Sequence, residues 1–375
     1  TRHFESVLSE DFDDFKPPAA FYVAQCYMRT GYMAGATAKF ARARDLGEQY
    51  SNDKERSAEA RQVAGQIFEG ASKALAPFDK STLFGNLALM SGYDTNVLSL
   101  PPTVVDPVQT SGKKSMTSTV MWGAGYMTSP MKFVQLVPSY RGMLIYNFNK
   151  DAQSANFFNN MVSLFINRKP LEPLSYGIKG EAAHTFQNDI DPDTKKGTFR
   201  PFSLVLSTGP FLKWEIIQRL YLGFEFTYLK TKNYKDAPTG EARKSGTQYT
   251  TKMSVTWDRV SNVFNPNLAI GYDINRTLGT EGRSRGLGLD FGNMIPLSQK
   301  LRLTLGLNVD LVSYPERSPE ARSDKTVAVN AAPTYRLAKN VTIMGTVRYA
   351  LNRSSIAAAY NYNRVVVSMG AALSF

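Results

Sequence analysis

Carboxylates are the residues of this chain whose types and spacing come nearest to chemistry. Glu181, Glu225, Asp258 and Asp290 fall in stretches of alternating polarity, where two acids brought face to face could divide the roles of general acid and general base. Nucleophilic catalysis would need a serine elbow or a histidine beside a carboxylate, and neither pattern is present. The two histidines are His3, at a ragged start, and His184, isolated among strand residues and expected to face outward. The single cysteine, Cys26, excludes an internal disulfide framework and, with so few histidines, any Cys/His zinc module. Cys26 reads as a small buried residue between helices, since no resolving thiol accompanies it. The reading therefore assigns no catalytic residue, no metal ligand and no cofactor, and takes the carboxylates as a wall lining.

The chain has 375 residues, with 44 Lys+Arg against 32 Asp+Glu, a formal net charge of +12. Much of the basic excess sits in expected loops and turns, at Lys113, Lys114, Lys195, Lys196, Arg243, Lys244, Arg283 and Arg285. Anionic lipid headgroups or lipopolysaccharide are a simpler partner for such a scatter than nucleic acid. Hydrophobic residues at 43% and aromatics at 12% exclude a wholly disordered chain. No uninterrupted apolar run approaches the ~18–20 residues of a membrane-crossing helix. Thr1 is not an initiator Met and no leader pattern follows it, so the sequence reads as a mature or trimmed chain.

The elements that must position these residues change character near residue 80. Before it, apolar residues recur at helical spacing. Ala24, Tyr27, Gly31, Ala36, Phe40 and Ala43 fall where a 34-residue helix-turn-helix repeat puts small residues at helix contacts, glycine at the turn and an aromatic in the groove. This stretch resembles a tetratricopeptide (TPR) repeat, and Phe4, Val7 and Leu8 look like the second helix of a preceding one. Residues 54–75 form a further amphipathic helix, with Ala60, Val63, Ile67, Ala71 and Leu75 on one stripe and an N-cap at Asn52 or Asp53.

After residue 80 the apolar residues alternate. In 301–312, Leu301, Leu303, Leu305, Leu307, Val309 and Leu311 alternate with Arg302, Thr304, Gly306, Asn308 and Asp310, and 365–375 repeats the pattern. About fourteen strands of this kind are expected, most longer than the five or six residues of a soluble strand and long enough to cross a bilayer at a tilt. Short connections near 128–131, 295–299 and 337–340 alternate with longer polar ones near 98–114, 188–197, 232–246, 277–285, 314–325 and 353–360. That asymmetry belongs to an outer-membrane barrel with tight periplasmic turns and wide external loops. Pro138 and Pro333 are expected to mark bulges or kinks.

The expected fold is thus a transmembrane antiparallel β-barrel (81–375) preceded by a short α-helical, TPR-like periplasmic segment (1–80). The expected lumen-lining set is Asp94, Arg141, Lys179, Glu181, Arg219, Glu225, Lys252, Asp258, Asp273, Asp290, Arg302, Asp310, Arg336, Arg348 and Arg364. The opposite face carries Tyr93, Trp122, Tyr126, Tyr140, Tyr146, Tyr228, Tyr249, Trp257, Tyr272, Tyr335 and Tyr349, the aromatics of an interfacial girdle. Phe375 ends an alternating run, and this ending resembles the C-terminal signal that the barrel-assembly machinery reads in bacterial outer-membrane proteins.

A TPR segment followed by a barrel opening on Ser-Gly-Tyr-Asp-Thr-Asn-Val (91–97) resembles the TPR-containing outer-membrane proteins, a group that includes the surface lipoprotein assembly modifiers (Slam) and the exopolysaccharide exporters. The strand count favours the Slam type. The resemblance implies a translocon-like conduit whose periplasmic repeats dock a client, a surface lipoprotein or a secreted polymer. The alternative is a non-catalytic porin or scaffold whose helices tether a periplasmic or envelope complex.

Overall fold

The computed structural model describes residues 15–29, 33–79, 82–97, 114–131, 134–168, 174–190, 197–217, 219–236, 239–257 and 265–375. His3, Phe4, Val7, Leu8, Gly31, Lys113, Lys195, Lys196, Asp258 and most of the 98–114 connection lie outside them.

Among the described residues three helices come first: α1 (Lys16–Arg29), α2 (Met33–Asn52) and α3 (Ala58–Asp79). Their core is built from small residues and one ring. Ala20, Ala24, Ala36, Phe40, Ala43, Ala71 and Leu75 are buried together, with Phe21, Tyr27 and Ile67 packed against them. Phe40 meets Phe21 edge-on, with centroids 5.4 Å apart, a favourable arrangement for two ring quadrupoles. Cys26 is half-buried and free, rather than fully enclosed.

The third helix departs from expectation at its start. Ser57 caps it, accepting a hydrogen bond from the Ala60 backbone N–H at 3.1 Å, whereas Asp53 closes the preceding turn by accepting from Glu55 N–H at 3.0 Å. Its inner stripe runs through Ala64, Ile67, Ala71 and Leu75, leaving Val63 45% exposed. The cause is a close helix crossing. A Cβ on Gly47 would lie 2.8 Å from the Ala64 carbonyl oxygen and from the Phe68 backbone nitrogen, so position 47 has no room even for a methyl group.

Fourteen strands follow. They are β1 (Thr82–Asp94), β2 (Ser115–Met131), β3 (Val134–Asn147), β4 (Phe157–Arg168), β5 (Leu174–Ile190), β6 (Gly197–Ile217) and β7 (Leu220–Asn233), then β8 (Gly246–Trp257), β9 (Pro266–Thr277), β10 (Ser284–Pro296), β11 (Leu301–Tyr314), β12 (Arg322–Arg336), β13 (Val341–Ser354) and β14 (Tyr362–Ser374). Each pairs with its sequence neighbours, and β1 pairs antiparallel with β14, so the sheet closes into a barrel. Closure removes the sheet edges and leaves every strand laddered on both sides.

The first and last strands are joined along nine consecutive positions, from Asn86 opposite Ser374 to Asp94 opposite Val366. Gly85 and Phe375 exchange backbone hydrogen bonds at 2.9 and 3.0 Å beyond one end of that run, and Thr95 donates to the Val365 carbonyl at 3.0 Å beyond the other. The Phe375 ring lies against Gly85, where any side chain would collide with it.

Pro333 produces no register shift. The pairs Ala331 with Val347 and Thr334 with Met344 belong to one register, and only the rungs between them lapse. Pro333 lacks an N–H to donate, and its ring rests 3.3 Å from where a Cβ of Gly345 would stand, so a small partner takes up the crowding. Pro138 lies inside β3. Arg219, expected on a strand, falls instead in the β6–β7 turn at φ 69°, where its N–H reaches the Glu215 carboxylate at 2.7 Å.

Candidate functional site: the barrel lumen

Cross-strand partners share a face, and residues two apart on a strand share it as well. The registers of β7 to β14 and β1 therefore sort every position onto one of two faces. One holds Asp94, Glu225, Lys252, Asp273, Asp290, Arg302, Asp310, Arg336, Arg348 and Arg364. Lys179 and Glu181 join it through contacts with Glu225 and Ser207. Arg141 joins it by sharing the space above Gly123 with Asn86.

Ion pairs identify this face as the interior. Lys179 on β5 meets Glu225 on β7, across β6. Lys252 on β8 meets Asp290 on β10 at 2.8 Å, across β9. Side chains from strands two apart converge only on the concave side of a closed sheet. Small residues lie beneath: Ala269, paired to both Ser254 and Asp290, is 3% exposed. Asp290 also accepts from Asn308 at 2.6 Å, and Asp273 accepts from Thr250 and, at 3.4 Å, from Gln248.

The opposite face is apolar and uncovered. Leu87, Leu289, Ile270, Val329, Val347 and Met369 are all at least 39% exposed there. All eleven aromatics expected on the outer face lie on it; Trp122 stacks on Phe158 at 5.8 Å, and Tyr228 meets Tyr249 at 5.5 Å. His184 is also on this side, 4.4 Å from the Phe186 ring and 5.7 Å from that of Tyr234. It approaches no carboxylate among the described residues. No group of three or more His, Cys, Asp or Glu among those residues is arranged to hold a metal ion.

Two features of this site were hidden in the sequence. The first is the role of the Ser-Gly-Tyr-Asp-Thr-Asn-Val opening, which locks the seam. Both carboxylate oxygens of Asp94 accept from Arg364 Nε, at 3.1 and 3.0 Å, and the Asp94 side chain is only 4% exposed. Thr95 Oγ1 accepts from the Val365 N–H at 2.8 Å, and Asn96 Nδ2 donates to the Asn363 carbonyl at 3.2 Å. The Arg364 side chain is 35% exposed, so removing one partner costs less than the roughly 3–5 kcal/mol of a fully buried pair.

The second is the rim, where loops are tied down by side chains. Asn156 Oδ1 accepts from the N–H and Nδ2 of Asn147 at 2.6 and 2.9 Å, anchoring the short 3-10 turn Lys150–Ala155. Arg322 is held between the rings of Tyr314 and Tyr360, 3.7 and 4.0 Å from their centroids, with Asp324 at 3.3 Å. Asp236 spans the β7–β8 loop, accepting from the N–H groups of Lys244 and Ser245 at 2.8 and 2.6 Å. Burial opposes ionisation of Asp236, but these donors and nearby Arg243 outweigh it and hold its carboxyl below the usual carboxylate range.

A closed antiparallel barrel with an apolar exterior and a charged, hydrogen-bonded interior is the architecture of the transmembrane β-barrels. No protein-family model matches this chain, and no curated protein matches it. Solved barrels do. The anion-selective porin from Comamonas acidovorans aligns with a TM-score of 0.42 and 10% identity over 79% of this chain and 99% of that one. OmpF of Salmonella typhi, in complex with daunomycin, gives 0.45 and 11% over 79% and 98%. The Pseudomonas putida toluene transporter TodX gives 0.41 and 8% over 79% and 90%. These likenesses concern general architecture alone.

Proposed function

We propose that this protein is a non-catalytic diffusion pore of a bacterial outer membrane. Its helical segment, on the periplasmic side, would be a TPR-like tether for a protein partner. The interior supports the pore reading. From β5 to β14 much of it is charged or hydroxylic, and such groups would be costly to bury dry. The seam carries the choice between a pore and a translocon: nine paired positions, bonded beyond both ends and clasped by Asp94 and Arg364, favour a wall that stays shut over one that parts for a client.

Barrel insertion by the assembly machinery through Phe375, and contact of the basic loops with lipopolysaccharide, belong to the same reading. The helical unit supports a second one, in which a Slam-like translocon uses it to recruit a surface lipoprotein or polymer. Its favouring observation is the small-residue core of Ala24, Ala36, Phe40 and Ala43 at repeat-like spacing.

Planar bilayers decide between these readings. The full chain and a chain lacking residues 1–76 should both give steady, ohmic channels of equal conductance, and the surface proteome of cells carrying the truncated chain should be unchanged. Silent bilayers, with one protein class lost from the surface on truncation, would overturn the pore and promote the translocon.

A further inference from the structure

The lumen wall is chemically divided. From β5 to β14 the inner face is crowded with charges of both signs, among them the pairs Lys179–Glu225, Lys252–Asp290 and Arg322–Asp324. From β1 to β4 it holds only two charged side chains among the described residues, Asp94 and Arg141, and Asp94 is committed to Arg364. Arg141 is exposed and has no carboxylate partner among the described residues.

Beside Arg141 the wall is hollowed into a cavity of about 460 Å³. Its inward lining joins Phe84 and the methionines Met121, Met143 and Met161 to the polar Asn86, Ser139, Asn159 and Arg141. Two inward glycines of β2 make the hollow. A Cβ on Gly123 would stand 2.8 Å from Asn86 Oδ1 and 3.5 Å from Arg141 Cγ, and Gly125 leaves room for the Phe84 ring. Within the lining, Ser139 shares a 2.7 Å hydrogen bond with Ser163, which ties β3 to β4.

We infer that this trough binds a small organic carboxylate with an apolar tail, the carboxylate on Arg141 and the tail on Phe84 and the three methionines. The inference rests on the pore reading and names the solute class that pauses in the lumen. The pairing follows from the chemistry: a lone guanidinium fits a carboxylate bidentately, and thioether side chains adapt to flat or branched apolar groups. An inorganic anion would leave the apolar lining wet, and an amine would meet Arg141 with like charge.

Binding is tested on the detergent-solubilised full chain by calorimetric titration with 3-phenylpropionate, propionate and 2-phenylethylamine. Saturable binding of 3-phenylpropionate is expected, with propionate and the amine at least about tenfold weaker and Arg141→Gln weakening 3-phenylpropionate by about tenfold or more. Gly123→Ala, which crowds Asn86 and Arg141, should weaken it as well, and Arg141→Glu should turn the preference toward the amine. Equal binding by wild type and both Arg141 variants, or no saturable binding, overturns the inference. Binding without conductance in bilayers would leave the trough standing and sink the pore.

Discussion

The helical unit and the barrel are built from similar residues turned opposite ways. In the helices the buried side chains among the described residues are Ala, Val, Phe, Leu, Tyr50 and Pro17, with no charged residue in the set. In the barrel the buried side chains include Asp94, Asn147, Ser163, Thr227 and Asn352, with alanines as the buried apolar residues, while many leucines and valines stand exposed. The inversion identifies the solvent of each part. A chain that buries asparagine and exposes leucine on consecutive strand positions is written for hydrocarbon outside and water inside.

That comparison is broken most severely at the helical core. Phe40→Ala removes the one ring at the centre of a cluster otherwise made largely of alanines, at a cost of about 3–5 kcal/mol. The helical ellipticity should melt at lower temperature, while the gel shift between unboiled and boiled samples, a property of the closed barrel, should persist. Joint loss of both would show that the two parts share one stability.

A pair of adjacent substitutions sharpens it within the barrel. Leu305 points outward and Thr304 inward on β11. Leu305→Arg, with its charge in hydrocarbon, should lower stability by roughly 2–4 kcal/mol, whereas Thr304→Arg should stay within about 1 kcal/mol because the lumen solvates it. Urea unfolding in lipid vesicles measures both. Equal costs would mean that the interior is not water-filled.

How much of this was legible follows from the physics of each element. Alternation with period two marks a strand's faces without any partner, which is why fourteen strands and the inward charges on β5 to β14 could be read directly. Register is a relation between strands and leaves no mark on either alone. Hence the clasp of Asp94 by Arg364, the ion pairs that skip a strand and the trough over Gly123 were invisible. Arg219 obeyed the alternation but belongs to a turn, because a positive φ is not written in side-chain polarity. In α3 the choice between Val63 and Ala64 for the inner stripe depended on Gly47 of a different helix. The TPR-like spacing placed Ala24, Phe40 and Ala43 in a common core without settling what that core serves.

The smallest effect is expected at the rim, which is neither oily core nor lumen. Asp236 holds the β7–β8 loop closed with backbone donors from Lys244 and Ser245, and these bonds are made to the ionised carboxylate. Its pKa is lower folded than unfolded. The contribution is therefore complete above the ordinary carboxylate value, about pH 4, and is lost as pH falls through the depressed folded value. Hydrogen exchange, corrected for the intrinsic pH dependence of amide rates, should show the Lys244 and Ser245 amides losing protection below about pH 4, with ladder amides of β7 and β8 unchanged. Asp236→Ala should remove that transition and leave both amides weakly protected at neutral pH. Protection that persists in the alanine variant would mean that the loop is held by its strands alone and that the rim, like the wall below it, is ordered by the barrel rather than by charge.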